Sequence, residues 1–466
     1  MIAARISLRL ARPYALAVGR QQRAIHQCRT LLHGHPASLK DLDRLLVKDG
    51  ATQTIRGIAK EPETVLAKHI KDTIKIAGPL SVGQYIRQAL THPLGGYYMK
   101  GDVFGVQGDF TTSPEISQMF GELVGVWFIT QYQALNGPDK IQLVELGPGR
   151  GTLMSDILRT LETFPFLHNK IEAIHLVEAS PHLKRVQAKA LTGQTMESSD
   201  FKSLKTPSGV EVFWHENFEN VPGGRCSMFI AHEFFDAMPI YKFEMTEHGW
   251  REIMVDIDES DSSPYHLRFI RAPSNTKAAA TMIQGERYAN YKQGERIEIA
   301  PESWGFAKQI GERIKADGGA ALVVDYGRNH ILGDSLRGIR KHKFTHVFEQ
   351  PGDCDLSADV DFSFVADAVQ ASGSHAHGPI TQGTFLRAMG IGTRLQELLK
   401  VAQTQDKRKE MVQSFERLVG PLGMGRVYKF LAITGSSEAP YPFLGVEDPE
   451  LDTGAGEDGP TPSLKQ

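Results

Sequence analysis

Residues 144–152 read Val144-Glu145-Leu146-Gly147-Pro148-Gly149-Arg150-Gly151-Thr152. A short apolar run at 141–145 leads into the glycines, and a helical pattern follows them at about 152–161. Glycines between a strand and a helix allow a tight turn and let a ligand approach the backbone. We therefore predict a ligand-binding turn, with a tight turn that binds nothing as the alternative.

Similar apolar runs alternate with helical patterns along much of the chain. They lie at 174–178, 210–214, 228–231, 320–325, near residue 380 and at 427–433. Such alternation predicts an α/β fold with a doubly wound, mostly parallel sheet. Residues 240–300 interrupt the alternation, because residues 250–257 alternate apolar and polar side chains, which predicts an antiparallel β insertion.

The spacing of the glycines separates two classes of ligand. A dinucleotide site has the spacing G-x-G-x-x-G, whereas Gly147, Gly149 and Gly151 follow G-x-G-x-G. Glu145 stands just before them, and a pyrophosphate favours a helix N-terminus without a nearby anion. S-adenosylmethionine carries an ammonium and a sulfonium but no phosphate. The sequence therefore predicts S-adenosylmethionine as the ligand, with Glu145 facing its ammonium directly or through water.

Two further carboxylates extend the predicted cofactor site. Glu178 ends the next predicted strand, where an acid can accept hydrogen bonds from both ribose hydroxyls. The alternative for Glu178 is a solvated strand end. Glu216, near the third strand, is a weaker candidate for a neighbour of the adenine.

The segment after the fourth predicted strand reads His232-Glu233-Phe234-Phe235-Asp236-Ala237-Met238-Pro239. Ligands of an open parallel sheet lie beyond the carboxyl ends of its strands, so this segment should face the same crevice as the glycine turn. A His-Glu-x-x run suggests zinc, but the second histidine is absent, and we predict no metal. Glu233 and Asp236 better fit an arginine guanidinium, whose charge they could localise on one nitrogen while another attacks a methyl group. The alternative is a structural turn whose acids cap a helix.

Composition limits what else the chain can be. The sequence has 466 residues with 52 basic and 55 acidic side chains, whereas a general nucleic-acid binder needs a strong basic surplus. No run of about 18 or more apolar residues is present to form a transmembrane helix. The three cysteines, Cys28, Cys226 and Cys354, are far apart, which argues against a disulfide framework or a zinc ribbon.

The two ends of the chain differ from its middle. Arginines recur through the first 38 residues and the first acidic residue is Asp41, a pattern typical of a mitochondrial transit peptide; the alternative is a disordered basic arm. Residues 434–466 are rich in proline and acids, which predicts disorder. The predicted organisation is a transit peptide, a helical adaptor, an N-terminal cap with the first part of the α/β domain, the β insertion, the rest of that domain and a tail. Their bounds are 1–38, 39–77, 78–239, 240–300, 301–433 and 434–466.

These segments together resemble the MidA-like family, long called domain of unknown function 185. Within it they are most similar to the mitochondrial branch, the complex I assembly factor 7 type of protein-arginine methyltransferase. The resemblance covers roughly residues 78–435. Besides the glycine turn and residues 232–239, it is carried by GPLS (78–81), HPLGGYY (92–98), GDFTTSPEIS (108–117), FGE (120–122), DYG (325–327), DVDF (359–362) and TQGTFL (381–386).

The resemblance implies a class I methyltransferase fold of seven mostly parallel strands, with an N-terminal helical extension and a β insertion. It implies symmetric (type II) dimethylation of an arginine on the second iron-sulfur-protein subunit of complex I, in the mitochondrial matrix, during assembly. It assigns Gly147, Gly149 and Gly151 to the cofactor turn, and Thr112 and Ser113 to a segment that closes over the same pocket. Many bacterial members have Asn at the position of His232, so a catalytic role is not expected there.

Other functions stay open at this point. A non-catalytic assembly chaperone would keep the cofactor-binding fold and bind a complex I subunit without modifying it. A small-molecule or nucleic-acid methyltransferase is weaker, since enzymes that methylate nucleic-acid amino groups often carry Asn/Asp-Pro-Pro-aromatic after strand four. The glycine spacing disfavours a dehydrogenase. A homodimer also stays open.

Overall fold

The computed structural model describes residues 59–100, 111–260 and 262–445. Four segments named in the sequence analysis lie outside these described residues: the predicted transit peptide, residues 39–58 of the predicted adaptor, residues 108–110 of a family motif and the tail beyond residue 445.

The strands are β1 (Leu80–Ser81), β2 (Ile141–Leu146), β3 (Ile171–Val177), β4 (Ser203–Lys205), β5 (Glu211–His215), β6 (Cys226–His232), β7 (Tyr241–Thr246), β8 (Gly249–Ile257), β9 (Leu267–Arg271), β10 (Arg296–Ile299), β11 (Gly319–Arg328), β12 (Arg337–Arg340), β13 (Lys343–Thr345), β14 (Asp355–Ser357), β15 (Val360–Asp361), β16 (His375–Thr381) and β17 (Tyr428–Thr434). The helices are α1 (Val65–Ala77), α2 (Val82–Thr91), α3 (Ser113–Ile116), α4 (Gln118–Ala134), α5 (Thr152–Glu162), α6 (Pro165–His168), α7 (Pro181–Thr192), α8 (Lys277–Met282), α9 (Pro301–Asp317), α10 (Phe362–Ser372), α11 (Gln382–Ala388), α12 (Ile391–Val401), α13 (Gln405–Val419) and α14 (Met424–Val427).

The main sheet has the strand order β16-β17-β11-β6-β2-β3-β5-β4, with β15 beside β11. Strands β5, β3, β2, β6 and β11 are parallel, and β17 is antiparallel to both β11 and β16. Strands β4 and β15 have three and two residues, so seven long strands form the sheet and two short ones extend it. The predicted α/β fold class is confirmed. Chain order reverses at β2, the position where open sheets of this kind bind ligands.

Helices cover both faces of this sheet. On one face, α4 and α5 bury side chains such as Trp127 and Ile157 against strand residues that include Leu143 and Phe430. On the other, α9 and α10 bury Ile310 and other apolar side chains against the reverse side of the same strands. Burial on both faces explains why these strands appear in the sequence as nearly continuous apolar runs.

The predicted antiparallel insertion and N-terminal helical extension are confirmed as parts of the fold. Strands β7, β8, β9 and β10 form an antiparallel sheet with β1, and α1 and α2 pack on it through Ile70 and Tyr85. Ser81 and Gln84 begin α2 with reciprocal side-chain-to-backbone hydrogen bonds, which gives the GPLS motif a structural role. A third sheet, β13-β12-β14, was not predicted, because its strands are too short to show a periodic pattern.

Among the described residues, no helix combines the length and apolar character needed to cross a membrane.

Candidate active site

The glycine turn joins the carboxyl end of β2 to α5. Gly147, Gly149 and Gly151 have φ angles of 63°, 52° and 82°, in the left-handed region that side chains disfavour. A Cβ at position 147 would also come within 3.0 Å of the Phe234 ring. The Gly147 N–H donates to the carbonyl of Val177, which fixes the turn to β3. The backbone of the turn therefore borders an open cleft that bulkier residues would narrow.

The cleft lies over the point where β2 and β6 end and is open to solvent. It is bordered by the glycine turn, the start of α5, the residues around α3 and the end of β6. Its lining comprises Thr112, Pro114, Glu115, Glu145, Gly147, Pro148, Gly149, Arg150, Thr152, Leu153, His232 and Glu233. Residues from three separate sequence motifs therefore meet at one place.

Glu145 offers an acceptor that the protein itself does not use. Its side chain is 2% exposed, and its Oε2 atom has no hydrogen-bond partner. Burial, and then the charge of Glu178, raise the pKa of Glu145 to about 8. An unpaired buried acceptor is costly, and a cation in the cleft would relieve that cost. The ammonium group of S-adenosylmethionine fits this requirement.

Glu178 follows β3 and is held by two donors. The backbone N–H of Ser180 donates to Oε1 at 2.7 Å, and Nε2 of Gln187 donates to Oε2 at 3.0 Å. Burial raises the pKa of Glu178 to about 7. Each carboxylate oxygen can accept a second hydrogen bond, so the fixed carboxylate keeps capacity for ribose hydroxyls.

Gln187, on α7, connects the glycine turn with Glu178 and Trp214. Besides donating to Glu178, its Nε2 atom donates to the carbonyl of Gly149 at 2.8 Å, and its Oε1 atom accepts from the indole of Trp214 at 3.0 Å. Sequence reasoning missed Gln187 and Trp214, since no motif marks either. Glu178 and Gln187 are outside the lining of the cleft and contact it through the glycine turn, whereas Glu216 is exposed beyond the end of β5 and also outside that lining.

Thr112 and Ser113 begin the short helix α3, but only Thr112 lines the cleft. The Ser113 hydroxyl is fully buried and donates to Oε1 of Gln382 at 3.1 Å. Gln382 in turn donates to the carbonyl of Leu418. Contact between Ser113 and the cofactor therefore stays a prediction. In the structure, the side chain of Ser113 links α3 to α11 through its hydrogen bond to Gln382.

The loop after β6 presents Glu233 and Asp236 in a fixed conformation. Glu233 has a φ of 49°, which is strained for a residue with a side chain, and its N–H donates to the carbonyl of Val324. The N–H groups of Phe235 and Asp236 both donate to Oδ2 of Asp325, a fully buried residue of the neighbouring strand β11. The DYG motif thus holds the loop that carries both predicted catalytic carboxylates.

Glu233 and Asp236 lie near enough to affect each other's ionisation. Burial, and then the charge of Asp236, raise the pKa of Glu233 to about 8, against a hydrogen bond of 2.9 Å from the Tyr428 hydroxyl. Burial also raises the pKa of Asp236, whose Oδ2 atom accepts from Tyr326 and Ser357. Oδ1 of Asp236 has no partner. The pair offers a site where a cation can be held by carboxylates shielded from water.

Arg337 stands behind this pair. Its guanidinium lies 5.0 Å from the centre of the Tyr326 ring and pairs with Asp359 at 2.6 Å. Its charge lowers the pKa of Asp236 in opposition to burial. Sequence reasoning missed Arg337, Tyr428 and Ser357, because each comes from a distant strand; Tyr326 was inside a noted motif without an assigned role.

His232 lines the cleft beside Glu233 but is not ionised at neutral pH. Burial lowers its pKa to about 3, and its Nε2 atom has no hydrogen-bond partner. Its ring packs edge-on against Phe120 and nearly parallel to Tyr428. Within the described part of the chain, no group of three or more His, Cys, Asp or Glu side chains is arranged to hold a metal ion.

Comparison with known proteins agrees with this geometry. Residues 123–380 match the family model described as an S-adenosyl-L-methionine-dependent methyltransferase. Three relatives named protein arginine methyltransferase NDUFAF7, mitochondrial, or its homolog, come from Danio rerio, Homo sapiens and Drosophila melanogaster. The Danio rerio relative is 42% identical over 380 residues, which cover 80% of this chain and 87% of the relative. The Homo sapiens relative is 41% identical over 382 residues, which cover 80% and 84%. The Drosophila melanogaster relative is 39% identical over 382 residues, which cover 79% and 84%.

Among solved structures, a Burkholderia thailandensis protein crystallised with S-adenosyl-homocysteine has a similar fold. It superimposes with a TM-score of 0.65 at 23% identity, covering 80% of this chain and 93% of that chain. The fold, the family match and the unpaired acceptor of Glu145 agree on the cofactor, which is S-adenosylmethionine. The MidA-like resemblance is confirmed, and the chain belongs to this family of S-adenosylmethionine-dependent methyltransferases.

Proposed function

We propose that this methyltransferase modifies an arginine of a protein, namely the second iron-sulfur-protein subunit of complex I, in the mitochondrial matrix. The names of the three relatives support a protein arginine and a mitochondrial location. The arginine-rich, acid-free start of the sequence supports import into mitochondria. The complex I subunit, the matrix and the symmetric form of dimethylarginine come from the family resemblance.

The observation that carries the proposal is the pair of carboxylates beside the cofactor cleft, of which Asp236 is buried and Glu233 is partly buried. Glu233 lines the cleft, and Asp236 keeps one buried oxygen without a partner. A guanidinium is planar and presents several donors, so two carboxylates can hold it in one orientation. A neutral substrate would leave these acceptors uncompensated, which favours a cationic one.

The chemistry then depends on positioning and charge. When bound, S-adenosylmethionine supplies an electrophilic methyl group and a neutral leaving group that needs no acid. Glu233 and Asp236 would accept hydrogen bonds from the guanidinium, localise its positive charge on one nitrogen and leave another free to attack. Transfer of the methyl group would break its bond to the sulfonium sulfur, and the proton that the attacking nitrogen then loses could be taken up by the adjacent carboxylates.

Methyl transfer to the isolated subunit tests this function. The full chain is incubated with isotopically labelled S-adenosylmethionine and the unmodified complex I subunit, and methyl groups are mapped by peptide mass spectrometry. Hydrolysis and chromatography of the product separate symmetric from asymmetric dimethylarginine. We expect label on an arginine as the symmetric form.

Gly149→Val supplies the negative control. A branched side chain at a φ of 52° would be strained and would occupy space beside the cleft, so binding of S-adenosylmethionine and labelling should both be lost. Gly193→Val is the matched variant, since Gly193 has a φ of 72° at the end of α7 with open space around it. Undiminished calorimetric affinity in Gly149→Val would contradict the assigned pocket.

The alternative function is a non-catalytic assembly chaperone that binds the same subunit. Cofactor binding and subunit binding without any label on the subunit would favour it. A homodimer is a separate prediction, and light scattering of the purified chain tests it.

A further inference from the structure

Two tyrosines lie side by side at the edge of the acceptor site. Tyr326, in β11, and Tyr428, at the start of β17, are direct cross-strand partners in the antiparallel ladder. Their rings meet edge-on, with centroids 5.5 Å apart. Strand β11 also pairs with β6, whose carboxyl end leads into the loop that carries Glu233 and Asp236.

Each tyrosine donates its hydroxyl to a different carboxylate of that loop. Tyr428 donates to Oε1 of Glu233 at 2.9 Å, and Tyr326 donates to Oδ2 of Asp236. Tyr326 is buried and Tyr428 is half-buried, and burial raises the pKa of each phenol, so both remain protonated donors at neutral pH. Because an ionised carboxylate only accepts, one oxygen of each acid is occupied by a tyrosine.

We propose that Tyr326 and Tyr428 are positioning residues for methyl transfer, which hold Asp236 and Glu233 by one oxygen each and leave the other oxygen of each acid for the substrate guanidinium. The unpaired Oδ1 atom of Asp236 fits this arrangement. The inference rests on the proposed function, since it gives these carboxylates a guanidinium to hold. A purely structural pair of tyrosines would support the sheet without affecting the ionisation of the acids.

The tyrosine bonds favour the ionised form of the acids that they contact. The charged or titratable groups that face Glu233 are His232, Asp236, Glu115, Asp355, Asp325 and Tyr428. Burial and the neighbouring acids raise the pKa of Glu233 to about 8, and the bond from Tyr428 opposes that rise. Removing the hydroxyl should therefore raise the pKa of Glu233 further and move the ionised form to higher pH.

Tyr428→Phe and Tyr326→Phe test the proposal, because each removes one hydroxyl and keeps the ring. We expect kcat to fall about tenfold in each, since a hydrogen bond to a charged acceptor is lost, with an unchanged affinity for S-adenosylmethionine. In Tyr428→Phe, the acid side of the kcat/KM profile should move up by about one pH unit. Tyr85→Phe is the control: Tyr85 is fully buried and donates to the carbonyl of Val347, away from both acids.

An infrared titration provides a readout that does not depend on methyl transfer. The carboxyl stretch of protonated Glu233 is identified as the band that Glu233→Gln removes, and its midpoint is measured in the wild type, Tyr428→Phe and Tyr85→Phe. A higher midpoint in Tyr428→Phe alone supports the inference, and an unchanged midpoint overturns it. If the wild type transfers no methyl group to arginine, the proposed function fails, while this titration still decides whether Tyr428 controls Glu233.

Discussion

The two halves of the proposed active site, one for the cofactor and one for the methyl acceptor, are built by different routes. The cofactor half takes the glycine turn, Glu145, Glu178 and Gln187 from two consecutive strand-helix units. The acceptor half takes Glu233 and Asp236 from one loop, but the groups that hold them come from β11, β14 and β17, which are distant in sequence. The comparison shows that a cofactor-binding turn is encoded by residues close together in the sequence, whereas the charge state of the proposed acceptor site depends on the assembled sheet.

Substitutions should separate the two halves. Changes in the cofactor half should weaken binding of S-adenosylmethionine, and changes in the acceptor half should lower turnover while leaving cofactor affinity intact. A variant that alters both equally would show that the halves work as one unit.

Asp236→Ala should have the largest effect. It removes one of the two carboxylates proposed to hold the guanidinium, so kcat should fall about 100-fold, or about 2.7 kcal/mol, with cofactor affinity unchanged. The measurements are steady-state kinetics with the complex I subunit and calorimetry with S-adenosylmethionine. Asp139→Ala, at an exposed position, serves as control. Unchanged turnover in Asp236→Ala would reassign the loop to a structural role.

The same contrast explains what the sequence could and could not predict. The sequence could predict the positions of Gly147, Glu145 and Glu178, because each lies at or near the end of a strand and nearby residues in the sequence determine the local geometry. Tyr428 carries no local signal, because its contact with Glu233 depends on β17 inserting antiparallel beside β11. Ser113 lies in a noted motif, yet its hydroxyl donates to Gln382, a residue 269 positions away that only the tertiary fold brings near.

Glu145→Gln should change how stability depends on pH. The folded protein holds a proton on Glu145 up to about pH 8, whereas the unfolded chain releases it near its ordinary value of 4.5. This group therefore stabilises the fold fully at acid pH and loses that contribution as pH rises through 8. From pH 6 to pH 8 the free energy of unfolding should decrease in both proteins, and the decrease should be roughly 2 kcal/mol larger in the wild type than in Glu145→Gln.

Denaturant titrations at the two pH values measure this difference. Saturating S-adenosyl-homocysteine should reduce the pH dependence of the wild type, since its ammonium favours the ionised carboxylate. Equal pH dependence in the wild type and Glu145→Gln would contradict the raised pKa and weaken the link between Glu145 and the ammonium.

Gln187→Met should have a smaller effect, confined to the cofactor half. The variant keeps the length of the side chain but loses the bonds to Glu178, Gly149 and Trp214. We expect the dissociation constant of S-adenosylmethionine to rise about tenfold, because the hydrogen bonds of this one buried side chain contribute about 1.5 kcal/mol. Calorimetry measures the affinity, and kcat at saturating cofactor should stay within about twofold of the wild type. A fall in kcat without a change in affinity would break the proposed division between the halves.

His232→Asn should have the smallest effect, although His232 lies where the two halves meet. A ring with a pKa of about 3 is neutral at pH 7 and is too weak a base to remove a proton from a guanidinium. We propose that the carboxylates of Glu233 and Asp236 accept that proton instead. Asn would lose the ring contacts with Phe120 and Tyr428, so stability should fall by about 1 kcal/mol. Turnover and cofactor affinity should each stay within about threefold. If kcat fell about 100-fold while the fold stayed intact, His232 would be identified as the group that accepts the proton. Catalysis in the acceptor half would then depend on an imidazole rather than on the two carboxylates.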